Sequence, residues 1–205
     1  MKKSFILILT TTLLLSAMAS CAQTSERKSQ NMKTKKTLVA FFSRNGENYA
    51  VGHIEKGNTH IISEMIAKET GGDLFHIDPV TPYPDDYQKC TEVAKSEQEG
   101  NARPSIKGDI AVEDYDVVFI GYPNWWSDMP MPVYTFIEKH NWQSKTIIPF
   151  CTHEGSGLSD TEQKLKAACK GATVLNGLAV RGSHAQNKQE QTLQSVKNWL
   201  SGLEY

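Results

Sequence analysis

The sequence predicts an α/β domain built on a parallel, doubly wound sheet. Short, continuous apolar runs recur along it, as strands buried on both faces require. Helix-like stretches separate these runs, and strand–helix alternation throughout is the pattern of a parallel sheet with helices on both faces. Residues 37–205, which carry the alternation, have the length of one domain and show no internal repeat.

The elements follow in order. "TLVAFF" (37–42) is a short apolar run and the first strand. "THIISEMIAKETGG" (59–72) places Ile61, Ile62, Met65 and Ile66 on one helical face, with Asn58 or Thr59 to cap its start and Gly71-Gly72 its end. "DLFHI" (73–77) is the second strand, and "PYPDDYQKCTEVAKSEQEG" (82–100) opens with prolines and carries a charged helix. "DVVFIGYP" (116–123) is the strongest strand signal, followed by a short helix over 131–140 with proline near its start. "KTIIPFCT" (145–152) is another buried strand. A helix over 159–169 opens with a Ser-x-x-Glu capping box from Ser159 to Glu162. "ATVLNGLAV" (172–180) is the fifth strand, and an amphipathic helix over 185–200 closes the domain.

The residues before the domain read differently. Lys2 and Lys3, the apolar stretch from Phe5 to Leu15, and Ser16-Ala17-Met18-Ala19-Ser20-Cys21 resemble a bacterial lipoprotein signal. In that reading residues 1–21 are the signal and Cys21 is lipidated. The domain is then exported to the cell envelope or periplasmic side and meets the membrane through an N-terminal lipid only. The alternatives are a plain cleaved secretion signal and a cytoplasmic form started at Met32. Residues 22–36 are polar and read as a tether, which spans ~50 Å when extended at ~3.3 Å per residue.

Charge excludes one class of partner. Seven bases and one acid precede residue 37, so of 22 Lys+Arg and 23 Asp+Glu the domain keeps 15 and 22, a net charge of −7. That argues against nucleic acid and fits small molecules or basic partners. Beyond Cys21, the widely spaced Cys90, Cys151 and Cys169 form neither a disulfide framework nor a metal motif. Cys151 and Cys169 read as buried, apolar packing.

In doubly wound sheets ligands sit beyond the carboxyl ends of the strands, where the strand order switches. The loops after Phe42, Ile120 and Phe150 are also the three most unusual stretches. They read Ser43-Arg44-Asn45-Gly46-Glu47-Asn48, then Gly121-Tyr122-Pro123-Asn124-Trp125-Trp126, then Thr152-His153-Glu154-Gly155-Ser156-Gly157. One is rich in hydroxyls and amides, one holds adjacent tryptophans outside any periodic pattern, and one is glycine-rich. Together they suit an anion cradle, aromatic cover and close-approaching backbone around a flat, phosphorylated ligand.

"LVAFFSRNGENY", "GNTHIISEMIAKETGGDLFHIDP", "YPDDY", "NARPSIKGDI", "DYDVVFIGYPNWWSDMPMPVYTFIE" and "PFCTHEGSGLS", in that order and spacing, are similar to the flavodoxin-like family, in particular a bacterial branch of flavodoxins. The resemblance spans residues 37–201 and implies a five-stranded sheet in order 2-1-3-4-5 and noncovalent FMN. It also implies a phosphate loop. In the simplest flavodoxins the loop runs directly into its helix, whereas here Tyr49 to Gly57 intervene and Asn45 and Asn48 stand for two hydroxyls. One reading is a single phosphate site interrupted by an excursion, with Ser43, Asn45, Gly46, Asn48, Asn58 and Thr59 around the phosphate. The other is an ordinary loop with its own turn. A helix start holds phosphate through free N–H groups and the helix dipole, without a lysine.

Isoalloxazine is flat and largely apolar, so one of Trp125 and Trp126 is expected at the ring and the other beneath the loop, with Trp125 favoured for contact. Pro123 and Asn124 would offer backbone to the ring edge. Thr152, His153, Gly155, Ser156 and Gly157 would lie along its pyrimidine side. His153 is either a loop histidine that shapes the pocket or a catalytic donor to an electron-rich acceptor. Tyr83 is either a surface turn residue or a cover over the site. The function implied is electron transfer through FMN to a redox partner protein or a small-molecule acceptor such as a quinone. The alternatives are an NAD(P)H-dependent FMN quinone reductase and a tethered binding module that kept the fold without catalysis. The sequence does not decide the oligomeric state.

Overall fold

The computed structural model describes residues 35–205. The residues read as a signal, Cys21 and residues 22–34 of the expected tether lie outside the described residues.

Strand β1 (Thr37–Phe41) is buried along its whole length and sits second in the sheet, between β4 (Asp73–His76) and β5 (Val117–Pro123). β6 (Thr146–His153) pairs with β5 on the far side. All these pairings are parallel, in the register Leu38↔Asp73, Thr37↔Val117 and Val117↔Thr146. Between β1 and the first helix, β2 (Gly46–Asn48) and β3 (Gly52–Ile54) form a separate antiparallel hairpin.

The expected fifth strand is two strands. β7 (Thr173–Val174) and β8 (Leu178–Arg181) both pair with β6, and the register moves by one residue between Ile147↔Val174 and Phe150↔Leu178. Opposite the break stands Pro149, which has no N–H to give a ladder. Asn176-Gly177 supplies the turn chemistry for the extra residue, and a Cβ on Gly177 would come within 3 Å of Pro149, so the close approach requires glycine there. The spatial order is otherwise the expected one.

The helices are α1 (Asn58–Thr70), α2 (Tyr87–Glu99), α3 (Met131–Glu138), α4 (Thr161–Ala168), α5 (Gly182–Asn187) and α6 (Gln189–Ser201). The expected closing helix is thus split, with Lys188 at φ −139° between α5 and α6. Successive strand residues point to opposite faces, so one core gathers Leu38, Ala40, Val118 and Ile120 with α3 and α4 side chains such as Phe136 and Leu165. The other gathers Val39, Phe41, Phe119 and Phe150 with Ile62 and Ile66 of α1 and Val196 of α6. Cys151 and Cys169 are free and buried, and burial pushes each thiol up to about 12.

Two expected caps are replaced by long-range partners. No side chain of Asn58 or Thr59 caps α1; Gly57 occupies the cap position and Ser43 Oγ accepts from His60 N at 3.1 Å. The Ser159–Glu162 box does not form. Ser159 Oγ accepts from Asn124 Nδ2 at 2.9 Å, Glu162 Oε1 accepts from Gly177 N at 2.7 Å, and α4 begins two residues later. Among the described residues, no helix is long and apolar enough to cross a membrane.

Candidate functional site

The carboxyl ends of β1, β5 and β6 open into one cavity of about 410 Å³. Of the residues expected there, Asn48, Asn58, Pro123, Asn124, Trp125, Trp126, Thr152 and His153 line it. Ser43, Asn45, Gly46, Thr59, Gly155, Ser156 and Gly157 do not. Ser43 is buried with its hydroxyl on His60 N, Asn45 is exposed, and Gly46 is buried beside Asp85 in the hairpin. Thr59 is 1% exposed, and its hydroxyl is shared with Thr152 Oγ1 at 2.8 Å rather than turned outward. The Gly157 carbonyl accepts from Asn124 Nδ2 at 2.8 Å and so braces the β5 loop against the β6 loop.

The first turn of α1 forms the end of the site that carries unpaired backbone amides. Ile61 N is bonded to Gly57 O and His60 N to Ser43 Oγ, which leaves the amides of Asn58 and Thr59 as the free donors of this terminus. Gly57 has an ordinary φ of −64°, but a Cβ there would collide with Ser43 Oγ and the Arg44 carbonyl. Glycine is required by close approach, not by backbone conformation. The excursion does not separate the two halves of this end, since Ser43 still reaches across it.

The β5 loop turns back at Trp125, whose N–H and C=O pair with those of Asp128 at 2.9 and 3.0 Å. Both central residues are left-handed, Trp126 at φ 52° and Ser127 at φ 62°. Neither is the glycine or asparagine such a turn favours. Trp125 lies edge-on against Phe42 and Tyr83, with centroids 5.3 and 5.1 Å away, and so packs under the loop. Trp126 is 51% exposed and presents the freer face to the cavity that both rings line. Its indole N–H donates to Thr91 O at 3.2 Å, and Lys95 Nζ sits 5.3 Å from its ring centre.

His153 closes the β6 side. Its Nδ1 accepts from Gly155 N at 2.8 Å, so the neutral ring carries its proton on Nε2. Burial, with Arg181 adding to it and Glu154 opposing, holds its pKa below 6.5. Glu154 accepts from Ser183 N at 2.6 Å and Ser183 Oγ at 3.0 Å, which ties this loop to the start of α5.

Tyr83 does not cover the cavity. It lies behind Trp125 and donates to Glu97, and burial drives its phenol pKa far up. The tyrosine that lines the cavity is Tyr87, at the start of α2, joined by Tyr49 of the hairpin and Arg44. Tyr49 and Tyr87 escaped the sequence reading because they come from segments outside the three strand-end loops, whereas Arg44 lies within the first of them. The available signal was Tyr49 within an excursion the simplest loop lacks.

The family model for flavodoxin matches residues 36–201. A candidate flavoprotein from Bacteroides eggerthii DSM 20697 is similar at 30% identity, over 82% of this chain and 96% of its own, with a TM-score of 0.65. Another from Bacteroides uniformis ATCC 8492 is 27% identical over 82% and 99%, with a TM-score of 0.63. A flavoprotein from Lactobacillus acidophilus NCFM, in complex with FMN, is 20% identical over 78% and 99%, with a TM-score of 0.56, a likeness of fold. Comparison with curated proteins gives no match.

Proposed function

Given that the chain belongs to the flavodoxin family, we propose that it holds FMN noncovalently in this cavity and transfers electrons through it. The observation that carries the reading is the meeting of the loops after β1, β5 and β6 on one cavity with an anion-facing helix start at one side and a tryptophan face at another.

The residues fit such a group. The free amides of Asn58 and Thr59, with the α1 dipole behind them, suit a phosphate. Trp126 and Pro123 suit the faces and edge of an isoalloxazine, and the backbone from Thr152 to Glu154 runs along the opposite side. When bound, FMN supplies reversible electron transfer that side chains lack. The protein's own part is to hold and shield it. His153, neutral near pH 7 with Nε2–H available, can donate a hydrogen bond to an electron-rich acceptor in the cavity.

Two versions of this function differ in what meets the site. A carrier docks a basic partner protein on the acidic domain. An NAD(P)H-dependent quinone reductase takes small molecules into the cavity, which the aromatic side chains at its mouth favour. Steady-state oxidation of NADPH with a quinone, present or absent, separates them. Export and lipid attachment at Cys21 belong to the same proposal, and fatty-acid incorporation lost in Cys21→Ser tests them.

The deciding measurement is the visible spectrum of the protein after incubation with excess FMN and desalting. Two flavin bands at close to one FMN per chain support the reading. A folded, colourless protein overturns it and leaves a binding module.

A further inference from the structure

The β2–β3 hairpin has a destination that the anion end does not explain. Ser43 reaches His60 N without it. The hairpin is instead fastened to the segment that opens α2. Arg44 Nη2 donates to the carbonyls of Pro84 and Asp85 at 2.8 Å each, and Glu47 N donates to Asp85 O at 3.1 Å. Tyr87 N donates to Glu47 Oε2 at 3.2 Å. These bonds bring Tyr49, at the hairpin turn, onto Tyr87, with ring centres 6.1 Å apart and planes at 29°. Both rings line the cavity, yet Tyr49 is 64% exposed and Tyr87 37%.

Trp126 lines the same cavity and is held by the same helix. Besides the indole bond to Thr91, Gln98 Nε2 donates to its carbonyl at 3.2 Å. Its left-handed backbone is a conformation a bulky residue leaves unless its surroundings impose it. Three large rings kept partly in water around one cavity form an apolar patch of the kind that marks a ligand site. The charges nearby are engaged, Arg44 with three carbonyls and Glu154 with Ser183 and Arg181. Donors left for a ligand include the Gln88 amide and His153 Nε2–H, both neutral.

We propose that Tyr49 and Tyr87 frame a second subsite at the mouth of this cavity, outside the Trp126 face given to the flavin, for a flat, uncharged, conjugated ring bearing carbonyl acceptors, of the naphthoquinone class. Aromatic faces stack on the ring, and the neutral donors meet its carbonyls. The proposal deepens the flavin reading and rests on it for placing redox chemistry beside the subsite. The hairpin then serves to build the outer wall of a pocket for a small acceptor.

The test titrates oxidised, FMN-loaded full-length protein with 2-methyl-1,4-naphthoquinone, without any electron donor, and follows tryptophan quenching and calorimetric heat. The wild type is expected to bind saturably. Tyr49→Ala/Tyr87→Ala is expected to weaken binding roughly tenfold with the FMN-to-protein absorbance ratio unchanged, and Tyr49→Phe/Tyr87→Phe to restore it. Wild-type affinity in the alanine variant, or no saturable binding by the wild type, overturns the subsite. Loss of FMN from the alanine variant also overturns it, since the rings would then be flavin cover. A wild type that retains no FMN fails the flavin reading before any quinone is added. Titration of that apo-protein then judges the subsite alone, upheld by binding that needs the two tyrosines and overturned by its absence.

Discussion

Thr59 and Thr152 share a buried hydrogen bond of 2.8 Å between their hydroxyls, joining the first turn of α1 to the end of β6. Two of the three strand-end loops are thereby locked together by neutral side chains. Thr59→Val keeps the shape and strands the Thr152 hydroxyl in the interior, which should cost about 1–3 kcal/mol. Thr59→Val/Thr152→Val removes both partners and should recover part of that loss. Urea unfolding of the two single variants and the double variant checks it. Additive costs would show that the hydroxyls do not act as a pair.

Trp126 sits where asparagine or glycine would be more stable. A non-glycine residue in the left-handed region costs about 1–2 kcal/mol. Trp126→Asn should therefore hold or raise the stability by up to about 1 kcal/mol, despite the lost bond to Thr91. FMN retention should fall in the same variant. A destabilisation above about 1 kcal/mol with FMN retained would make the ring a structural plug.

Gly57 has no room for a methyl group between Ser43 and Arg44. Gly57→Ala should displace the start of α1 from the β1 loop at a cost of about 1–3 kcal/mol. FMN should be retained less well, because the Asn58 and Thr59 amides move with the helix. Gly52→Ala, in the hairpin where a Cβ meets open space but φ is +69°, should lower stability through backbone strain alone and leave FMN content intact. Thermal melts and the absorbance ratio separate the two effects.

Three histidines set an acid limit. Burial lowers the pKa of His60, His140 and His153 below 6.5, against raising contributions from Glu64 for the first, Glu113 and Asp109 for the second and Glu154 for the third. The unfolded chain then takes up protons more readily than the native one. Stability is whole above pH 6.5 and declines as pH falls from there through the lowered native values. Only 6% of the His140 side chain is exposed, and its Nε2 has no hydrogen-bond partner. Urea unfolding at about pH 7.5 and 5.5 should show the decline, and His140→Gln should reduce it. Stability that stays level or rises over that interval would contradict the sign.

Much of the site is legible along the chain because strand-end loops follow directly from strands. "TLVAFF", "DVVFIGYP" and "KTIIPFCT" announce β1, β5 and β6, and in a doubly wound sheet their carboxyl ends must lie side by side. Asn48, Pro123 to Trp126, Thr152 and His153 reach the cavity by that logic, and Asn58 through the phosphate loop that the resemblance implies.

The sequence by itself determined the buried strands β1, β5 and β6 and their three converging loops, because apolar periodicity and turn residues act over a few neighbours, while the strand order was implied by the family resemblance. Only the tertiary structure decided which hydroxyls remained available, with Thr59 turned to Thr152 and Ser159 to Asn124. It also decided that Tyr87 rather than Tyr83 lines the cavity, and that the hairpin delivers Tyr49 there. Those outcomes are competitions between groups 14 to 93 residues apart for the same donor, acceptor or surface, and a local pattern carries no record of the winner.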